Sequence, residues 1–362
     1  MKVLDLRPAL VRRFSRTWDH GHAQPPQPAG PVARLAGRVT DRVVARRVGL
    51  RPACPEGPHL VSVGNLAVGG TGKTPVIMAL AQALFQRGRR GAILTRGYGS
   101  SLKGPVVVTR ETGLAGDEAR LMAWRLKDTG WPVIQARDRP TALGWLADTY
   151  PGLDYVLLED AHQTPGLARH LDILLLDRWR RAARSRGDIL QPATGPVFPF
   201  GPWRETAAGA DRAGILLVET ESDIPAKGPG GQTVAAFSRT LSLMRPEGHP
   251  LADVPGSHYA LLSGIARPVG FESAVQAKIG RPASLAIRCP DHAAYEPGTL
   301  KRIDQALAQA GTRTLCTTLK DWVKLDGQLA ADIEVVLVDL TVEWGQARAL
   351  PHVVEERLGL GR

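Results

Sequence analysis

The 362-residue sequence predicts an α/β fold, with a doubly wound sheet and a second, smaller α/β domain. Short apolar runs alternate along the chain with segments of helical periodicity, which is typical of strands crossed by helices. An early apolar run breaks into a glycine-rich loop that a helical segment follows at once. The length also favours two domains, because a single hydrophobic core rarely grows beyond about 250–300 residues.

The glycine-rich loop has the composition of a phosphate cradle. A buried strand at 60–63 precedes it and a helix at 75–85 follows it. Glycines let backbone N–H groups converge on phosphate oxygens, while the lysine reaches the β- and γ-phosphates and the threonine hydroxyl holds Mg²⁺. The residues expected to contact the nucleotide are Gly69, Gly70, Thr71, Gly72, Lys73 and Thr74. Ala67 occupies the position of the first glycine in the strict motif, but the compact core still fits.

This loop makes the large domain P-loop NTPase-like, and a glycine turn without a ligand is the alternative. The domain is predicted to occupy residues 1–225, including a basic N-terminal segment, and the smaller α/β domain to occupy 226–362. A Pro- and Gly-rich stretch at 224–231 marks the boundary between them.

The N-terminal segment is strongly basic. The whole chain carries a formal charge of +11, and residues 1–50, with ten Lys or Arg and three Asp, account for +7. Residues 1–31 read as irregular, with a linker at 24–28, and a helix is predicted at 32–48. Its apolar face contains Val32, Leu35, Ala36, Val39 and Val43, and its flank contains Arg34, Arg38, Arg42 and Arg46. Such a helix can lie in a membrane interface or pack on the domain with a solvated edge.

The remaining elements continue the alternation of strands and helices. Strands are predicted at 91–95, 106–109, 131–135, 155–158, 171–176, 214–218, 259–263, 284–287, 313–317 and 334–339. Helices are predicted at 119–127, 139–150, 268–278 and 299–310. The segment 198–204 reads as a turn-rich loop, because it contains two prolines and one glycine at close spacing.

Acidic residues lie at the end of one of these elements and at the start of another. Glu159 and Asp160 end an apolar strand, where an acid commonly serves Mg²⁺ or its waters in phosphate-loop enzymes. Asp117 and Glu118 open a helix, where acids are often only partners of the helix dipole. His292 follows a strand end in the second half of the chain, and a lone histidine there is more often structural than catalytic.

Several motifs in the same order resemble the tetraacyldisaccharide 4′-kinase family, the lipid A 4′-kinases of Gram-negative bacteria. The most specific is the stretch 62–74, since the family also lacks the first glycine of the strict motif. The other matching motifs are at 95–99, 116–118, 137–139, 159–163, 198–205, 290–292 and 317–321. Together they cover residues 60 to 325.

The resemblance implies a kinase that uses ATP and Mg²⁺ to phosphorylate the 4′-hydroxyl of a tetraacyl glucosamine disaccharide 1-phosphate. It implies Asp117 as the base that takes the hydroxyl proton, aided by His292, with Asp160 steadying this network. Thr74, Glu118 and Glu159 are the implied metal ligands. The implied substrate contacts are Asn65, Arg96, Arg137, Arg139, His162, Gln163 and Arg204. A two-domain kinase of this kind is expected to close on ATP.

The substrate-side motifs depart from the family pattern more than the ATP side does. Glu159 and Ala161 replace an Asp and a Gly, Thr164 replaces His or Asn, and Ala119 replaces Pro. Three alternatives therefore stay open: a kinase for another glycolipid, a P-loop ATPase that switches a protein partner, and a membrane-surface protein with a relict nucleotide site.

Composition excludes several other classes. No apolar run approaches the roughly 20 residues that span a bilayer, and the start of the chain has no apolar core of a secretory signal. Cys54, Cys289 and Cys316 fit neither a metal site nor a disulfide framework. Aromatic residues make up 5% and do not interleave with basic ones, so nucleic acid is not expected as a partner. The expected partners are the lipid A precursor and an anionic membrane, and the expected location is the cytoplasmic face of the bacterial inner membrane.

Overall fold

The computed structural model describes residues 1–8, 30–49, 52–68, 72–109, 111–185 and 187–360. The chain forms two compact units. The smaller unit contains Met1–His20 and Thr240–Thr341, and the larger unit contains Gly21–Arg239 and Val342–Arg362. The sequence predicts a single domain boundary between residues 225 and 226. In the structure the last 21 residues belong to the larger unit, not to the smaller one. The linker expected at 24–28 lies outside the described residues.

Strands and helices alternate along most of the described chain. The strands are β1 Lys2–Asp5, β2 His59–Asn65, β3 Gly91–Thr95, β4 Val106–Val108, β5 Val133–Gln135, β6 Tyr155–Glu159, β7 Leu171–Leu176, β8 Trp179–Ala182, β9 Ile189–Pro192, β10 Ile215–Glu219, β11 Thr233–Met244, β12 Pro250–Leu251, β13 Ala260–Ser263, β14 Leu285–Arg288, β15 Thr314–Thr318 and β16 Glu334–Trp344. The α-helices are α1 Pro31–Gly49, α2 Lys73–Gln86, α3 Asp117–Arg125, α4 Arg139–Thr149, α5 Pro268–Ile279, α6 Pro297–Gln309, α7 Leu319–Leu325 and α8 Leu350–Arg357.

The larger unit is built on the order β4-β5-β3-β6-β2-β7-β10-β11. Neighbouring strands from β5 to β11 pair in parallel, and β4 joins β5 antiparallel at the edge. Strands β2, β6 and β7 are apolar runs buried along nearly their whole length, as expected when helices cover both faces of a parallel sheet. The carboxyl ends of these strands lie at one edge, which is where ligands bind in open α/β sheets. The predicted doubly wound fold is confirmed.

The smaller unit has its own parallel order, β1-β14-β13-β15-β16. Its core contains Tyr259, Leu261, Val275 and Val336. The prediction that residues 1–31 are irregular is wrong for β1, whose residues pair with β14. A four-residue edge strand depends on a distant partner, so no local pattern marks it.

Helix α1 confirms the predicted helix at 32–48 and presents two opposite faces. Its packing face contains Gly37, where an added Cβ would lie 3.1 Å from Thr206 Cγ2, and the fully buried Val48. Asp41 on the same face accepts hydrogen bonds from the backbone N–H and the hydroxyl of Thr206. The exposed residues of the opposite face are Val32, Leu35, Val39 and Val43, at 67%, 63%, 53% and 43% exposure. The apolar stripe therefore points away from the packing face.

The hairpin of β8 and β9 is a separate two-stranded sheet that the sequence does not predict. It carries exposed Arg180 and Arg181, the latter paired with Asp188 at 3.2 Å. Within the part of the chain that the structure describes, no helix combines the length and the apolar character that crossing a bilayer requires.

Candidate active site

The phosphate loop joins the end of β2 to the start of α2. Gly69, Gly70 and Thr71 lie outside the described residues, so the predictions for them stay predictions. Gly72 has a φ of 91°, a left-handed conformation that glycine adopts without steric cost, and it immediately precedes α2. Lys73 is the first residue of that helix and is nearly buried. A lysine at a helix N-terminus concentrates positive charge where phosphates bind.

The ammonium group of Lys73 lies near two side-chain oxygens, one of which accepts a hydrogen bond from it. Its Nζ donates a hydrogen bond of 3.1 Å to Asn65 Oδ1 and lies 3.7 Å from Asp160 Oδ1. Asn65 ends β2 and is fully buried, so it holds the lysine from the strand side. The structure thus brings three of the sequence-predicted residues together at the carboxyl edge of the sheet.

Asp160 follows β6 and is held by an arginine from a distant loop. Both Nη atoms of Arg204 donate to its carboxylate, at 2.8 and 2.9 Å. Burial opposes ionisation of Asp160, but the charges of Lys73 and Arg204 outweigh it, so the pKa of this carboxyl is lowered. Asp160 is therefore a carboxylate, in a left-handed backbone conformation with φ of 49°. Aspartate tolerates this conformation better than most residues.

Glu159 is more deeply buried than Asp160. Thr95 Oγ1 donates to its Oε2 at 3.0 Å. Burial, with the nearby charges of Glu118 and Asp160, raises the pKa of Glu159 to about 7. Acidic groups that crowd a buried carboxyl in this way favour a cation beside it. The sequence could place Glu159 at a strand end but could not reveal this burial.

A glutamine that the sequence analysis did not identify organises the loops around Asp117. Gln135 ends β5, and its Oε1 accepts a bond of 2.8 Å from the backbone N–H of Gly116, the residue before α3. Its Nε2 donates to Ser100 Oγ at 2.8 Å. Gln135 is fully buried, so these bonds hold the start of α3, and with it Asp117, beside the loop that follows β3.

Two of the predicted arginines are exposed at this edge and one is not. Arg96 and Arg137 are exposed, and Arg137 Nη2 donates to the backbone oxygen of Ser100 at 2.8 Å. Arg139 is buried, and its Nη2 donates to the Glu159 carbonyl at 2.7 Å. Burial lowers the pKa of Arg139. Arg139 thus supports the backbone beneath the acidic pair instead of facing solvent.

His162 and Gln163 also form contacts inside the protein. His162 is completely buried, with Nε2 2.9 Å from the Gly209 carbonyl oxygen. Gln163 Nε2 donates to the Asn65 carbonyl at 2.8 Å and to Glu205 Oε1 at 2.7 Å. These bonds connect the loop after β6 to the end of β2. The sequence could not separate such supporting residues from exposed ones, because both belong to the same motif.

His292 lies in the smaller unit, on the loop after β14. It and Tyr295 both have positive φ, 60° and 50°, which side-chain-bearing residues rarely adopt. Tyr295 donates to the buried Asp321 Oδ1 at 2.7 Å, and the Gly264 N–H donates to Oδ2 at 2.9 Å. Lys320 Nζ lies 2.8 Å from Asp291 Oδ1 and 3.5 Å from His292 Nε2. The sequence motif at 317–321 therefore holds the histidine loop.

The residues at the larger unit's edge fit Mg²⁺ bound chiefly through nucleotide phosphates. Thr74 is the second residue of α2, and the buried Glu159 lies near Glu118. Among the described residues no group of three or more His, Cys, Asp or Glu side chains has the spacing of a self-sufficient metal site. Mg²⁺ in nucleotide sites usually takes one or two protein ligands and completes its shell with phosphate and water. The donor set agrees with that pattern.

Glu159 gives a pH-dependent stability that can be measured. Its pKa is higher in the folded protein, about 7, than its ordinary value of 4.5. The folded state therefore binds the proton more tightly, and the free energy of unfolding falls as pH rises from about 4.5 to about 7. Glu159→Gln stays neutral and still accepts from Thr95, so it should remove a decline on the order of 3 kcal/mol. Chemical unfolding without nucleotide or Mg²⁺ measures this difference.

The control for that experiment is Glu221→Gln, which changes an exposed acid in the same unit. It should follow the native pH profile throughout. Parallel profiles for native protein and Glu159→Gln would contradict the raised pKa.

The fold and this edge define a P-loop phosphotransferase. A lysine at the start of a helix, acids at the end of the neighbouring strand and a parallel sheet with the loop strand in its interior are the parts of that class. The chain belongs to the tetraacyldisaccharide-1-P 4′-kinase family, which matches residues 30–358. The resemblance inferred from the sequence motifs is thereby confirmed.

Curated relatives carry the same family name. The tetraacyldisaccharide 4′-kinase of Maricaulis maris is 36% identical over 320 residues, covering 84% of this chain and 86% of the relative. That of Methylorubrum extorquens is 33% identical over 346 residues, covering 90% and 97%. The crystal structure of LpxK from Aquifex aeolicus in complex with ATP has a TM-score of 0.66 and 23% identity, covering 90% of this chain and 97% of that one. This likeness supports the fold.

Proposed function

We propose that the protein transfers the γ-phosphate of ATP to the 4′-hydroxyl of a tetraacyl glucosamine disaccharide 1-phosphate. The observation that carries the proposal is the position of Lys73, at the start of α2 between Asn65 and the ionised Asp160. Membership of the family supplies the acceptor. Phosphoryl transfer depends mainly on positioning and on neutralising charge, and this edge provides both.

The residues divide into four roles. Lys73 contacts the transferred phosphate, and Asp160, held by Arg204, orients the lysine. Asp117 takes the proton of the acceptor hydroxyl, with His292 assisting. Thr74, Glu118 and Glu159 hold Mg²⁺, which supplies neutralising charge at the phosphates when bound. This assignment follows the class of reaction, in which the protein positions groups and moves one proton.

The exposed arginines are the proposed contacts of the lipid. A planar guanidinium binds phosphate through two parallel hydrogen bonds, and Arg96 and Arg137 are exposed at the carboxyl edge. Arg139, His162 and Gln163 are proposed to act indirectly, by holding the loop that carries Asp160 in place. Their effect on the acceptor is therefore indirect.

A transfer assay tests this proposal. Purified protein is incubated with Mg²⁺, γ-labelled ATP and the tetraacyl disaccharide 1-phosphate in detergent micelles, and the lipid is separated from ATP and free phosphate. We expect label on the lipid. Label released as phosphate without lipid labelling would favour an ATPase switch. Preferential labelling of a different glycolipid would show that this other glycolipid is the acceptor.

We also propose that the enzyme works at the cytoplasmic face of the bacterial inner membrane. Two observations in the larger unit support a lipid contact. Helix α1 turns an apolar stripe outward, flanked by exposed Arg34, Arg38, Arg42 and Arg46, whereas an ordinary packed helix presents a polar outer face. The arginines would meet anionic headgroups while the stripe enters the acyl boundary.

The second observation is an aromatic tip on the loop after β9. Phe198 and Phe200 are 63% and 53% exposed. The base of this loop, Val197 and Trp203, is buried in the same hydrophobic cluster that Ala36 of α1 packs against. The tip and the helix thus rest on one support, and we propose that both enter the lipid.

The aromatic tip gives a sharp test of this membrane contact. Each phenylalanine that leaves water contributes about 1.5–3 kcal/mol, so Phe198→Ser/Phe200→Ser should weaken binding to phosphatidylglycerol-containing vesicles at least tenfold. Sedimentation with vesicles measures the affinity. Phe85→Ser is the matched control, because Phe85 is 42% exposed at the far end of α2. Equal loss in both variants, or none in either, would exclude the tip from the contact.

A further inference from the structure

Arg239 lies against the phosphate loop and was not indicated by any motif. It belongs to β11, next to β10, whose last residue is Glu219. In the register of the two strands Glu219 is opposite Phe237, so Arg239 extends two residues beyond the end of β10. This places Arg239 at the carboxyl edge of the sheet, where the phosphate loop also lies.

Glu219 fixes the direction of the guanidinium. Arg239 Nε donates to Glu219 Oε1 at 2.7 Å, and Nη2 donates to Oε2. The carboxylate thereby occupies one edge of the planar group. The hydrogen bonds that Arg239 makes to described residues do not use Nη1, which retains two N–H donors.

The remaining nitrogen faces Gly72. A Cβ added to Gly72 would lie 2.7 Å from Arg239 Nη1, closer than any real side-chain carbon tolerates. The φ of 91° favours glycine at this position, and the short distance shows how closely the guanidinium approaches the backbone there. Gly72 immediately precedes α2, so Nη1 lies beside the positive N-terminal end of that helix.

We propose that Arg239 binds a phosphate of the nucleotide and that Glu219 positions it. This inference rests on the proposed function, in which ATP occupies the loop. Nη1 of the guanidinium faces Gly72, the residue just before the lysine of the phosphate loop, and a guanidinium suits phosphate geometry. The backbone just before the lysine cradles the α- and β-phosphates. Arg239 is therefore assigned to those phosphates, and not to the transferred one.

This assignment predicts a particular split between affinity and rate. Arg239→Gln should raise the Kd of both ATP and ADP about tenfold to a hundredfold, because a charge-assisted hydrogen bond is lost in both complexes. The value of kcat at saturating ATP should change less than about threefold, because the bond is the same before and during transfer. Glu219→Gln should raise both Kd values less, and the double variant should resemble Arg239→Gln.

The matched control is Arg245→Gln. Arg245 directly follows the last residue of β11 and pairs with Glu334 at 3.2 Å, so the variant loses the same kind of partly exposed ion pair. Calorimetric titration of the full chain with ATP and with ADP should give native Kd values for this control. Such pairs contribute little to stability, so all variants should keep native melting temperatures.

Unchanged Kd values for ATP and ADP in a folded Arg239→Gln protein would overturn the inference and leave the proposed function intact. A change confined to the Kd of ATP would also overturn it, because it would assign Arg239 to the γ-phosphate, which ADP lacks. Native protein that bound no nucleotide would instead contradict the proposed function, on which this inference rests.

Discussion

Lys73→Ala is expected to lower kcat for phosphate transfer to the lipid at least a hundredfold. In the proposed mechanism the ammonium group of Lys73 supplies positive charge beside the transferred phosphate, and removing one such preorganised group from a site usually costs 10²–10³ in rate. Its hydrogen-bond acceptor, Asn65 Oδ1, lies on the loop strand, and its ion-pair partner, Asp160, directly follows the neighbouring strand. The variant leaves Asp160 paired with Arg204, so the edge of the sheet should keep its shape.

The matched control is Lys227→Ala, which removes an exposed lysine from the same unit. It should keep the native rate, and both variants should melt near the native temperature. Initial rates at several ATP concentrations separate a loss in kcat from a loss in affinity. If Lys73→Ala retained more than a tenth of the native kcat, the lysine would not serve the reacting phosphate.

Asp117→Asn is the second large effect, with an expected loss of 10²–10⁴ in kcat and an unchanged Kd for ATP. The amide keeps the shape and size of the side chain but cannot take a proton, and general-base catalysis contributes about this factor. Gly116, the residue before Asp117, remains held by Gln135, so the local backbone should not move. Stopped-time transfer assays measure kcat, and calorimetry measures the Kd.

The partnership with His292 is tested by a double-mutant cycle. If both residues serve one proton transfer, Asp117→Asn/His292→Ala should be no slower than Asp117→Asn alone. His249→Ala changes an exposed histidine of the smaller unit and should show native rates in either background. Strictly multiplicative losses for Asp117→Asn and His292→Ala would assign the two residues to separate tasks.

Much of the fold could be predicted because its signals are local. Strand β6 is an apolar run, and helix α2 has apolar residues at helical spacing directly after a glycine loop. Ala67, which breaks the strict motif, nonetheless marks the family, and its side chain is fully buried. Strand β1 was missed because its partner lies far along the chain. The local hairpin of β8 and β9, strand β11 and helices α7 and α8 were also missed.

The motifs of the site could be predicted from the sequence, but which of their residues are exposed and which only support the backbone could not. Arg139 and His162 belong to the same motifs as exposed groups, yet both are buried and bond to backbone carbonyls. Gln135 and Arg239 carry no sequence signature, because what distinguishes them is the loop that the fold places beside them. Burial and direction are three-dimensional properties, and periodicity reports them only for regular elements.

The central claim is transfer of phosphate to one hydroxyl of a lipid disaccharide, and the position of the new phosphate tests it most directly. The lipid product of a preparative reaction with native protein, ATP and Mg²⁺ is analysed by two-dimensional ³¹P–¹H NMR. The account predicts a second phosphorus signal correlated with the proton at the 4′ carbon, absent from the Lys73→Ala reaction. A phosphorus signal correlated with any other sugar proton, or no new signal while ATP is consumed, would contradict it.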